Sequence, residues 1–142
     1  MTKLNQESGR SMVEMLGVLA IIGVLSIGGI AGYTMAMNRY RANEVLSVAA
    51  QLAVLSQTAN QGRGGVDMGL DDLSLTAANV PGLTDSATMT ATTNGDTTTV
   101  TISALSSDDV GSAIESIAGG STGSCKSTGC TLKMDGGHLT VS

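Results

Sequence analysis

One acidic side chain, Glu14, stands at the front of an uncharged apolar run. Residues 15–38 read MLGVLAIIGVLSIGGIAGYTMAMN, long enough as a helix to cross the hydrocarbon core of a bilayer, which takes about 20 residues. Gly9, Arg10, Ser11, Met12 and Val13 come immediately before it. A carboxylate among acyl chains costs free energy unless it meets a cation. Glu14 therefore points to ion pairing inside a membrane, with the positive charge supplied by a second copy of the same chain. The competing reading is a carboxylate near the helix start that snorkels to the headgroups.

The other residues capable of chemistry are few. Cys125 and Cys130 enclose only KSTG. Two cysteines in a small domain beyond an apolar segment predict a disulfide in an oxidising compartment. A redox motif would want two intervening residues, and a zinc site more ligands than the single histidine, His138, supplies. So short a loop fixes a local turn more than it restrains the unfolded chain. His138 has no acid near it except Asp135 and reads as a solvated turn residue. Asp71-Asp72 and Asp108-Asp109 resemble calcium ligands only loosely, without EF-hand spacing. Gly119-Gly120 lacks a lysine at phosphate-loop spacing. No catalytic constellation emerges, so the sequence predicts a protein that is not an enzyme, with no cofactor and no metal.

Composition narrows the class further. The 142 residues allow one domain beside the apolar segment. With no Phe, no Trp and two Tyr, a domain of this size buries only a thin core. The net charge is −5 and the seven Lys and Arg are scattered, which argues against a nucleic-acid surface.

These residues need elements to position them. Residues 1–9 are polar and read as a short leader. Residues 10–38 form the membrane-spanning, assembly part of a helix, and residues 39–61 continue it as an amphipathic segment. There Val45, Val48, Leu52, Leu55 and Ala59 recur at spacings of three and four and share a face. No proline interrupts residues 10–60, and Gly62, Gly64 and Gly65 provide a stop. Residues 62–142 then form a β-rich domain. Residues 66–85 read as a loop with a short helical turn near Leu70–Leu73. Asn94-Gly95 predicts a hairpin between Thr-rich strands. Ser107 caps a helix through about Ala118, with Val110, Ile114 and Ile117 on one side and the acids Asp108 and Asp109 at its positive end. TLKM and HLTV flank Asp135-Gly136-Gly137, a second hairpin. The predicted fold class is α+β: a long N-terminal helix, membrane-spanning in its first half, packed against a small antiparallel sheet.

The segment Gly9-Arg10-Ser11-Met12-Val13-Glu14-Met15-Leu16, opening a long apolar helix, resembles the N-terminus of type IV pilins and of their secretion-system relatives, the pseudopilins. The resemblance covers residues 9–60 well; beyond that, only the order of elements is similar to the family's sheet-on-helix head domain with its C-terminal disulfide. It implies cleavage by a prepilin peptidase between Gly9 and Arg10, methylation of the new amine, and Glu14 as fifth residue of the mature chain, paired with the Arg10 amine of a neighbour. The chain departs from the pattern in two places. Arg10 stands where the family usually has Phe or Met, and Gly28, Gly29, Ala31 and Gly32 occupy the region where many members carry a proline. These glycines suit either local melting of the helix or close helix packing, since Gly28 and Gly32 form a GxxxG pair. A calcium site of the kind some pseudopilins carry in the C-terminal loop finds one acid there, Asp135. The implied partners are further pilin subunits, the peptidase and the inner-membrane assembly machinery. The implied location is the inner membrane first and an extracellular pilus after assembly. A secretion pseudopilus, or a single-span anchored module that does not polymerise, are the alternatives.

Overall fold

The computed structural model describes residues 2–60, 66–135 and 137–142. Helix α1 spans Thr2–Ala59, and the chain divides into two compact units, Met1–Ala36 and Met37–Ser142. The glycines expected to stop the helix, Gly62, Gly64 and Gly65, lie outside the described residues.

The first unit is helical throughout its described length. Its large apolar side chains at positions 12–35 are between 52% and 73% exposed. A Cβ added at Gly17, Gly23, Gly28, Gly29 or Gly32 would meet nothing within 4 Å. Among the described residues no contact therefore requires these glycines.

The second unit packs residues 37–59 of α1 against a five-stranded antiparallel sheet. The strands are β1 (Val66–Gly69), β2 (Met89–Asn94), β3 (Thr97–Ile102), β4 (Cys130–Asp135) and β5 (His138–Val141), paired in that order. Helix α2 (Asp108–Ala118) lies in the connection from β3 to β4. Side chains alternate between faces along a strand, and the register turns this into rows. Met68, Ala91, Val100, Leu132 and Val141 stand opposite one another across all five strands. Met89, Ile102 and Cys130 form a second apolar row, and the residues of both rows are buried except Met68, which is half-buried. The opposite face carries Asp67, Thr92, Thr99, Lys133 and Thr140 in one row, and Thr92 donates to the Asp67 carboxylate at 2.7 Å.

The helix meets this sheet through small side chains. Val45, Val48 and Leu52 are buried as their spacing predicts, but Leu55 and Ala59 are only half-buried, and Ala42, Ala49, Ala53 and Ser56 complete the contact. Four small residues let the helix backbone come close to the sheet, and that rotates the buried stripe away from Leu55. Where the apolar rows run out, the core turns polar. Ser56 and Thr93 hydroxyls lie 2.7 Å apart, Thr93 and Thr98 are 3.0 Å apart, and Gln57 donates to Thr98 at 3.1 Å and to the Met134 sulfur at 3.2 Å. Among the described residues no buried side-chain polar atom lacks a partner, as a low-dielectric interior demands.

The local signals position most of the other elements. The 3₁₀ turn at Leu70–Leu73 forms where expected, and a second one at Ala77–Asn79 follows. Residues 66–69, expected as loop, are instead strand β1. The β2–β3 hairpin forms one residue later than Asn94-Gly95 suggests: Asn94 pairs with Thr97, leaving Gly95 and Asp96 as the loop. Only Gly95 takes a positive φ, +63°, so glycine occupies the first loop position, the arrangement of a type II′ hairpin. In the second hairpin Asp135 pairs with His138. Ser107 caps α2 by accepting the Val110 N–H at 3.3 Å. Val110 and Ile114 are fully buried, while Ile117 is 45% exposed.

Candidate functional site

Two places in the molecule gather the residues singled out by sequence: the apolar face of α1 and the Cys125–Cys130 loop. Glu14 is exposed on α1, among apolar side chains that are exposed as well. An α-helix repeats every 3.6 residues, so Gly32 lies about five turns beyond Glu14 on the same side, with Gly28 one turn before it. Acid and GxxxG pair thus share one face, with Gly28 about 21 Å and Gly32 about 27 Å from Glu14 along the axis at a rise of 1.5 Å per residue. Among the described residues α1 is the one helix long and apolar enough to cross a membrane; its most apolar stretch of 18 residues has a mean hydropathy of 2.2 and none of that stretch is buried. Gly9 and Arg10, the expected processing pair, fall within α1; the Arg10 side chain, and with it any contact to Glu14, lies outside the described part of the structure.

The cysteines are joined. Cys125 and Cys130 form a disulfide and both are buried, which fits the expectation from their spacing. Helix α2 holds their loop by means that the sequence did not reveal. Glu115 Oε1 accepts the Cys125 N–H at 2.7 Å, and about two turns earlier Asp108 Oδ1 accepts the Ser127 N–H at 2.7 Å. Between these two acids Gly111 is buried against the loop: a Cβ there would run into the Cys125 carbonyl. The backbone N–H of Cys125 first, then that of Gly123, holds the Glu115 carboxyl below its ordinary pKa. The Ser127 backbone N–H, followed by the Ser127 hydroxyl, does the same for Asp108. Hydrogen bonds to the charged form favour it, and both carboxylates are fixed in that form at neutral pH.

The remaining candidates have ordinary structural surroundings. Asp72 accepts the Gly69 N–H at 2.8 Å and closes the start of the 3₁₀ turn, while Asp71 lies in that same turn and its carbonyl accepts the Ser74 N–H. His138 is exposed at the start of β5. Gly119 and Gly120 connect α2 to the sheet: the Val141 N–H donates to the Gly119 carbonyl at 2.8 Å and the Ser121 N–H to the Val141 carbonyl at 2.9 Å. Among the described residues no three of His, Cys, Asp and Glu gather in a metal-binding group.

What fold and site define is an α+β chain whose one apolar helix carries an acid and a pair of glycines on one face, and whose β-rich unit bears a disulfide loop. Comparisons with protein-family models, with curated proteins and with solved structures find no match.

Proposed function

We propose that this chain is the structural subunit of a type IV pilus-like filament. The precursor sits in the inner membrane through residues 10–38, is cut between Gly9 and Arg10, and polymerises by bundling its N-terminal helices. The observation that carries this reading is the shared face of Glu14, Gly28 and Gly32 on a stretch of helix, positions 12–35, whose large apolar side chains are all more than half exposed. Burying one Leu, Ile or Val side chain is worth about 1.5–3 kcal/mol, so such a surface first requires lipid and then favours neighbouring helices.

The carboxylate gives the bundle its register. A buried ion pair recovers much of the desolvation penalty that a lone charge would suffer, and the amine freed at Arg10 of an adjoining subunit is a cation placed near Glu14. A subunit docked out of register leaves that acid unpaired. The Thr-rich outer face of the sheet suits the hydrated surface of an extracellular fibre.

Mass spectrometry of the mature chain tests the processing step. The expected N-terminus is Arg10, methylated; an intact residue 1, or loss of the whole apolar segment, overturns the reading. Assembly is tested with Glu14→Ala in cells. Membrane insertion should persist while sheared surface filaments, seen by negative-stain microscopy in the parent, disappear. Normal filaments from the variant would sink the pairing.

A further inference from the structure

We infer that helix α2 carries the disulfide loop as a carboxylate-held latch: Glu115 and Asp108 fasten its backbone at Cys125 and Ser127, so the loop keeps its conformation without the Cys125–Cys130 bond and lets go when both carboxylates lose their charge. The geometry assigns each fastening separately. Glu115 Oε1 and Asp108 Oδ1 each accept one loop N–H at 2.7 Å, within the range of charge-assisted bonds and roughly twice as strong as neutral ones. The two acids are seven residues apart on α2, about two turns, and therefore hold the loop at two points along one side of the helix. Gly111, between them, lets the loop backbone lie directly on the helix.

The disulfide adds little that these contacts lack. It spans a sequence separation of 5, and so short a closure restrains the unfolded chain only modestly. Inside it, Lys126 and Gly129 already exchange backbone hydrogen bonds at 3.2 and 3.0 Å, and the Leu105 N–H donates to the Ser127 carbonyl at 3.2 Å. What the latch presents is a solvent-facing run of hydroxyls around one lysine: Ser121, Thr122, Ser124, Lys126, Ser127 and Thr128 are exposed.

Few charges bear on the two acids. Lys126, from the loop itself, acts on both, and Asp109 follows Asp108 on the helix. Strand β5 reaches the helix end at Val141, and its titratable residue, His138, is at the other end of the strand opposite Asp135. Protonation of the acids themselves is therefore the event that opens the latch.

Amide hydrogen exchange, followed by NMR on the full chain in detergent micelles, tests this. At neutral pH the Cys125→Ser/Cys130→Ser variant is expected to keep the protection of the amides at positions 125 and 127. The Glu115→Gln/Asp108→Asn variant, with its disulfide intact, is expected to lose it by about tenfold or more, while the amides of Val100 and Leu132 in the sheet stay protected. Equal protection in the carboxamide variant, or loss in the serine variant, overturns the latch. Should the carboxamide variant not fold, acidification of the unaltered chain gives the same answer. Loop protection should then fall before that of the sheet, and a simultaneous loss refutes the inference.

Discussion

The Ser56 hydroxyl lies 2.7 Å from that of Thr93, and both side chains are closed off from solvent. That contact joins helix α1 to strand β2 at the end of the core where apolar rows give way to hydroxyls. Thr98 continues it on the next strand, and Gln57 reaches the same hydroxyl from the helix. A chain without Phe or Trp closes this end of its core with a hydrogen-bonded cluster, which is satisfied only when helix and hairpin stand in one register.

The cluster predicts an order of costs. Thr98→Val removes the hydroxyl met by both Thr93 and Gln57, and leaving buried polar groups short of a partner costs roughly 1–3 kcal/mol. Ser56→Ala leaves Thr93 still bonded to Thr98, so its cost should be nearer 1 kcal/mol. Denaturant unfolding of the detergent-solubilised chain, followed by circular dichroism, measures both. An equal or reversed order would mean that the cluster does not act as a chain of bonds.

Gly111 offers a test in which two effects oppose each other. In an exposed helix interior, Gly→Ala gains about 1 kcal/mol of helix propensity. Here the new methyl would enter the Cys125 carbonyl, and overpacking a close contact costs typically about 1–3 kcal/mol. Backbone on the far side cannot swing away as a flexible side chain would, so the clash should win. Gly111→Ala is expected to lower the thermal midpoint, whereas Ser112→Ala on the exposed side of the same helix should leave it unchanged or raise it slightly. An increase for Gly111→Ala would show that the loop yields.

Much of this arrangement was legible in the sequence where a local signal sufficed. The cap at Ser107, the turn at Leu70–Leu73, both hairpins and the long helix each follow from residues close in the chain. Strand β1 is not legible in the sequence because Val66-Asp67-Met68-Gly69 has no strand signature of its own; its pairing with residues 90–93 creates it. The spacing of Val45, Val48, Leu52, Leu55 and Ala59 predicts the buried stripe of α1, yet Ala42, Ala49, Ala53 and Ser56 complete the contact, and nothing local marks these small residues as facing the sheet. Asp108 reads from sequence only as a charge at a helix start, and no spacing announces that Glu115 will meet a loop ten residues further on. Such contacts arise only when the chain turns back on itself.

Those two carboxylates also set a pH dependence. Both are held below their ordinary values by loop N–H groups, so the folded chain binds these protons less tightly than the unfolded chain does. Their contribution to stability is present in full above the unfolded carboxylate range, about 3.9–4.3, and is lost as pH falls through the lower folded values. Unfolding midpoints of the second unit should therefore be flat near neutrality and drop on acidification below about pH 4. In Glu115→Gln the drop should be shallower. A variant that follows the parent curve throughout would remove Glu115 from the cause.

The glycines of the first unit separate folding from assembly. A Cβ at Gly28 or Gly32 meets nothing within 4 Å in the single chain, so alanine at either position should stabilise the isolated helix by up to about 1 kcal/mol. If neighbouring helices approach over the face of Glu14, as proposed above, the same positions become crowded in the filament. Gly28→Leu and Gly32→Leu should then insert in the membrane and keep the fold of the second unit, yet yield few or no filaments, with the alanine variants intermediate. Circular dichroism of the purified chains and counts of sheared filaments by electron microscopy give the two readouts. Filaments at parental abundance from both leucine variants would place the contact on another face of the helix, because a leucine at a close crossing holds two backbones apart.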